Sequence, residues 1–162
     1  MTLNKLVVLD VEGTIRDQIR DEKTKKTRIQ HQDLEPVFKK LKSLGCEIVI
    51  ASNLDTYDSL RKEFKKIGID QYITHYEPDV PGEFDKPSKM ERYIEGYLAC
   101  GVDVSPEQIR FYDDSERNID SMIWNGYEHS YLVNNAKPET SLLTQLTKLL
   151  HELESEGPME RA

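Results

Sequence analysis

Five apolar, β-rich runs punctuate the chain, KLVVLD, EIVIAS, QYITHY, IRFYDD and HSYLVN, and between them the spacing of apolar residues shifts from strand-like to helical. In DLEPVFKKLKSLG, Leu34, Val37, Phe38, Leu41 and Leu44 share one helical face behind an expected Asp33 cap. TYDSLRKEFKKIG repeats the design with Tyr57, Leu60, Phe64 and Ile67, and PSKMERYIEGYLACG with Met90, Tyr93, Ile94, Tyr97 and Leu98. ERNIDSMIWNG turns Ile119, Met122 and Ile123 inward. Each of these helices closes on a glycine, at 45, 68, 101 and 126. Strand-to-helix units in series predict an α/β, three-layer Rossmannoid fold with a mostly parallel central sheet and helices on both faces.

The last apolar pattern, SLLTQLTKLLHELE, predicts an amphipathic helix packing back through Leu142, Leu143, Leu146, Leu149, Leu150 and Leu153. A coiled-coil partner helix is the competing reading, but a coil needs three to four heptads. Two segments break the alternation. Residues 15–32 are too polar for core, and residues 76–87 carry three prolines and a glycine, so loops or short hairpins are expected at both. Residues 156–162 read as a disordered tail.

Composition sets bounds on this picture. A length of 162 residues fits one domain, placed at 1–155, and 37% hydrophobic content supports a core. The mean hydropathy is −0.66, no apolar stretch approaches the roughly 20 residues that span a bilayer, and MTLNK lacks a signal-peptide core. A cytoplasmic protein with no membrane partner is expected. Cys46 and Cys100 have no metal-ligand spacing and read as buried thiols. The four histidines are scattered, and Trp124 and the tyrosines at helical spacing read as packing residues. A net charge of −8 disfavours broad nucleic-acid binding.

Ligands of parallel sheets bind beyond the carboxyl ends of the strands, so the residues leaving those ends carry the chemistry. They are Asp10 and Glu12 after the first strand, Ser52 and Asn53 after the second, and Asp113 and Asp114 after the fourth. Four gathered carboxylates repel one another unless a cation sits among them, and oxygen-only ligands favour Mg²⁺. Lys86 brings positive charge to the same edge. A carboxylate attacking a phosphoryl group needs such charges to offset those developing on the phosphoryl oxygens. Asp10, at an ordinary pKa of about 3.9, is ready for that attack at neutral pH, and the Ser52 hydroxyl can hold a phosphoryl oxygen.

These residues fall in motifs that resemble the haloacid dehalogenase-like phosphohydrolase superfamily. DVEGT is similar to its first motif, DxDx[TV], except at Glu12; VIAS resembles the second, DKPS the third, and IRFYDDSERNI the hydrophobic-DD-xxxN metal loop. The resemblance implies that Asp10 forms an aspartyl-phosphate that water then hydrolyses, with residue 12 as general acid and then base. It implies Mg²⁺ on Asp10, on the backbone carbonyl of Glu12 and on Asp114, with Asp113 as a further ligand or a supporting group. Ser52 and Lys86 would clamp the phosphoryl group, with Lys89 as a rival lysine. Asn118 would either orient the metal loop or cap its own helix, and Thr14 would fix the first loop by hydrogen bonding.

Neither the stretch from Thr14 to Ser52 nor that from Ser52 to Lys86 has room for a folded cap domain. The chain is thus most similar to capless members, chiefly the magnesium-dependent phosphatase-1 group, with residues 15–32 as a flap. An open site suits a large or exposed phosphorylated substrate, such as a phosphoprotein, a nucleotide or another phosphoester. Between Arg16 and Arg28 six basic residues outnumber three acidic ones, which suits anionic substrates or an ordinary solvated loop. Two functions compete with a Mg²⁺-dependent phosphomonoesterase. One is an impaired module that binds a phosphorylated ligand or a protein, suggested by Glu12; the other is a polynucleotide 3'-phosphatase, suggested by the basic flap.

Overall fold

The computed structural model describes residues 3–52, 56–77 and 85–156. Five strands form the central sheet: β1 (Leu6–Leu9), β4 (Glu47–Ala51), β5 (His75–Glu77), β6 (Ile109–Asp113) and β7 (Ser130–Leu132). They are ordered β5-β4-β1-β6-β7 and every pairing is parallel. A separate antiparallel hairpin, β2 (Arg16–Arg20) with β3 (Thr27–His31), occupies the segment expected to be a flap. Among the described residues, the chain between β1 and β4 holds this hairpin and α1 (Glu35–Ser43), and that between β4 and β5 holds α2 (Tyr57–Lys66) and a 3₁₀ turn. Neither insertion is a cap domain.

Strand alternation sorts the core into two layers. Val7, Leu9, Ile48 and Ile50 face α1, α2 and α5 (Leu142–Ser155), while Leu6, Val8, Val49 and Ala51 face α3 (Lys86–Ala99) and α4 (Glu116–Trp124). β1 is buried along its whole length, as a central parallel strand covered on both faces must be. Side-chain oxygens of Thr56, Asp85, Ser115 and Ser141 accept the first-turn N–H groups of α2, α3, α4 and α5.

Several local expectations are corrected. α1 is not capped by Asp33; Leu34 stands at that position with no side-chain bond, and Pro36 relieves the first turn of one donor. In QYITHY, Asp70–Tyr72 form the 3₁₀ turn, so the strand starts only at His75. Tyr57, Leu98, Ile123 and Leu143, assigned inward, lie at the margins of their helix faces and are exposed. Trp124 is 90% exposed and packs nothing into the core, and Cys100, unlike buried Cys46, is exposed at the end of α3. Residues 15 and 16 are not loop-like: Ile15 is buried in the core and Arg16 is 9% exposed.

Candidate active site

Parallel register brings the chemistry together. Leu9 pairs with Ile50 on one side and Tyr112 on the other, so Asp10 stands level with Ala51 and Asp113 on the two neighbouring strands, and Ser52 follows one residue beyond. With Glu12, Asp114, Ser115 and Asn118 they line a cavity of about 270 Å³. Asn53 lies outside the described residues, as do residues 78–84 of the proline-rich segment and residues 157–162 of the expected tail.

Of the four carboxylates that leave the strand ends, the structure gathers three. Asp10, Asp113 and Asp114 each offer an oxygen within 4.8 Å of the others, whereas the Glu12 carboxylate turns away to Arg16. Asp113 is fully buried and held at both oxygens: Oδ1 accepts the Ser115 N–H at 2.9 Å, and Oδ2 accepts from Asn118 Nδ2 at 3.0 Å. Asn118 therefore orients the acidic loop, and Ser115 is the residue that caps α4. Asp114 is exposed and reaches in over Gly13, which adopts φ +72°; a Cβ there would overlap Asp114 Oδ2.

Lys86 reaches Asp10. Its side chain is 1% exposed, and its Nζ donates to the Ala51 carbonyl at 2.7 Å and lies 3.4 Å from Asp10 Oδ1. Burial pushes the Asp10 carboxyl up to about 8; Lys86 opposes that rise, and the Asp113 and Asp114 charges add to it. Asp114 is raised in the same way, by burial and by Asp113. Burial and crowding thus work against the ionised Asp10 that the sequence leads one to expect. Three carboxylates facing one ammonium leave an excess of negative charge that a hard divalent cation would offset, so the donor set fits such an ion.

Four residues that sequence reasoning did not assign complete the surroundings. Arg16 donates from Nε to Glu12 Oε1 at 2.6 Å and from Nη1 to Glu63 on α2, and His31 Nε2 lies 2.7 Å from Glu63 Oε2. Asn135, just beyond β7, donates to the carbonyls of Gly13 and Thr14 while its Oδ1 accepts the Leu142 N–H. It ties the loop after β1 to the start of α5. Thr14 does not play the expected part: its hydroxyl is buried without a hydrogen-bond partner among the described residues, and its backbone N–H bonds Val11 instead. No local pattern marks Glu63 or Asn135, since Glu63 meets Arg16 from 47 residues away.

Neither a protein-family model nor a curated protein matches the chain. Solved structures do. A probable YrbI-family phosphatase from Pseudomonas syringae superposes with a TM-score of 0.61 at 18% identity, covering 96% of this chain and 88% of its own. The cobalt-bound deoxy-D-mannose-octulosonate 8-phosphate phosphatase from Haemophilus influenzae gives 0.59 at 14% identity, with 98% and 93% covered. The 3-deoxy-D-manno-octulosonate 8-phosphate phosphatase from Moraxella catarrhalis, in complex with magnesium, phosphate and KDO, gives 0.57 at 14% identity, with 92% and 86% covered. The chain has the haloacid dehalogenase-like fold. This likeness concerns the superfamily's fold and not the narrower magnesium-dependent phosphatase-1 group.

Proposed function

We propose that the protein is a Mg²⁺-dependent phosphomonoesterase with Asp10 as nucleophile. The observation that carries this reading is the meeting of Asp10 with Asp113, Asp114 and Lys86 at the carboxyl ends of parallel strands. Phosphatases of the same fold, crystallised with magnesium or cobalt, support it. Asp10 and Asp114, with the backbone carbonyl of Glu12, would hold the ion, while Asn118 and Ser115 keep Asp113 turned toward it. Bound there, the cation would neutralise charge on the phosphoryl oxygens. Ser52 lines the cavity and Lys86 lies buried beside Asp10 and the end of β4, so their O–H and N–H groups would suit the remaining phosphoryl oxygens. An Asp10 oxygen attacks phosphorus as the P–O bond to the leaving group breaks; Glu12 gives the departing leaving-group oxygen a proton, then takes one from the water that cleaves the aspartyl-phosphate.

The cavity, about 270 Å³ and lined almost wholly by polar residues, would take the phosphoryl group, with the bulk of a large substrate lying outside it. A phosphate carried on a large or exposed molecule fits that geometry best. The test is hydrolysis of an aryl phosphate by the wild type, Asp10→Asn and Glu12→Asp, with Mg²⁺ and with chelator. Turnover that needs Mg²⁺, vanishes in Asp10→Asn and persists in Glu12→Asp is expected. Silence of the wild type across a phosphoester panel, with activity in Glu12→Asp, would instead identify a module that binds phosphorylated ligands without turnover.

A further inference from the structure

We infer that Arg16 is the positioning residue that allows glutamate to work at position 12, and that Glu63 and His31 hold Arg16 in place. This rests on the acid/base role given to Glu12 above. Relative to aspartate, glutamate carries its carboxylate farther by up to one C–C bond, about 1.5 Å, and has one more torsion to restrain. Misplacement of that size costs about 100-fold in rate. The structure supplies the restraint. Arg16 Nε donates to Glu12 Oε1 at 2.6 Å, a charge-assisted bond, and leaves Oε2 without a partner among the described residues. Glu12 lines the same cavity as Asp10, so the free oxygen is the one available for proton transfer.

Arg16 can impose this geometry because it is itself fixed. Its backbone closes the loop after β1, accepting the Gly13 N–H at 2.8 Å and donating to the Val11 carbonyl at 3.2 Å. A second edge of its guanidinium is taken by Glu63, and Glu63 is gripped in turn by His31, which stands directly opposite Arg16 in the hairpin. One planar fork thus spans two carboxylates on different elements, a task that a single ammonium on a flexible stem performs poorly. Two carboxylates already neutralise Arg16, and its side chain is 11% exposed, so it is poorly placed to bind substrate phosphate itself. An aspartate at position 12 is one methylene too short to keep the Arg16 bond while the loop backbone stays put. The lengths of residues 12 and 16 are matched, and their effects on catalysis must be coupled.

The test is a double-mutant cycle on the full chain, with an aryl phosphate at saturating Mg²⁺. Arg16→Ala should lower kcat by about 10- to 100-fold with KM changed by less than about 3-fold. In the Glu12→Asp background the same substitution should change kcat by less than about 3-fold. Equal losses in both backgrounds, or a rise in KM with kcat intact, would overturn the inference. Should Arg16→Ala fail to fold, Glu63→Gln preserves volume and removes the charge that anchors Arg16; a kcat loss confined to the Glu12 background supports the inference, and equal losses overturn it. Absence of turnover in every protein overturns the phosphatase reading and this inference with it, whereas turnover with independent effects at 12 and 16 overturns this inference alone.

Discussion

Two carboxylate clusters stand side by side at the strand ends and solve the same electrostatic problem in opposite ways. Asp10, Asp113 and Asp114 crowd together with Lys86 as the nearby cation, whereas Glu12 and Glu63 share Arg16 and are closed off by His31. In the first cluster burial, with the repulsion among the carboxylates added to it, pushes Asp10 and Asp114 up. In the second, one guanidinium bridges two carboxylates. Under the proposed function the first arrangement leaves charge for a cation to offset, and the second holds Glu12 in place.

The most damaging way to break this contrast is Asp10→Asn, which removes the proposed nucleophile and should reduce aryl phosphate hydrolysis by roughly 10⁴-fold or more. Next comes Gly13→Ala: a methyl group in the space of Asp114, at a positive φ, should displace that carboxylate and weaken Mg²⁺ binding by about 10- to 100-fold, read by calorimetric titration. Asn118→Ala frees one Asp113 oxygen without adding bulk, and the loss of affinity should sit near the lower end of that range, about 10-fold.

The smallest effect separates the clusters by pH. Asp10 has a higher pKa folded than unfolded, so without metal its contribution to stability is complete below the unfolded value of about 3.8 and is lost as pH rises through about 8. Thermal unfolding in chelator should therefore show a midpoint that falls by several degrees between pH 5 and pH 8.5. Asp10→Asn should flatten that slope, and Mg²⁺ should reverse it by favouring the ionised carboxylate. An unchanged slope in Asp10→Asn would show that the crowded cluster is not its source.

Much of the first cluster was legible in the chain, because a buried parallel strand followed at once by Asp10 or Asp113 needs only the sheet to align it. Lys86 at the start of α3 was legible for the same reason, though its 3.4 Å approach to Asp10 was not. The second cluster was not legible. Arg16 and His31 lie in a segment that reads as a polar flap, and Glu63 sits in an ordinary amphipathic helix. The outward turn of Tyr57, Leu98 and Trp124 was missed because spacing identifies a helix face and not where its margin meets solvent.

By itself, then, the sequence determined the β/α alternation, the helix-ending glycines and the acidic residues at the strand ends, all of which follow from periodicity and local backbone chemistry. The tertiary structure alone decided that Glu12 leaves the acidic group, that Asn118 turns to Asp113, and that Gly13 is bare so that Asp114 can enter. Those outcomes depend on atoms from distant segments arriving within a few ångströms, and charge pairing at that range falls off too steeply for any local pattern to record it.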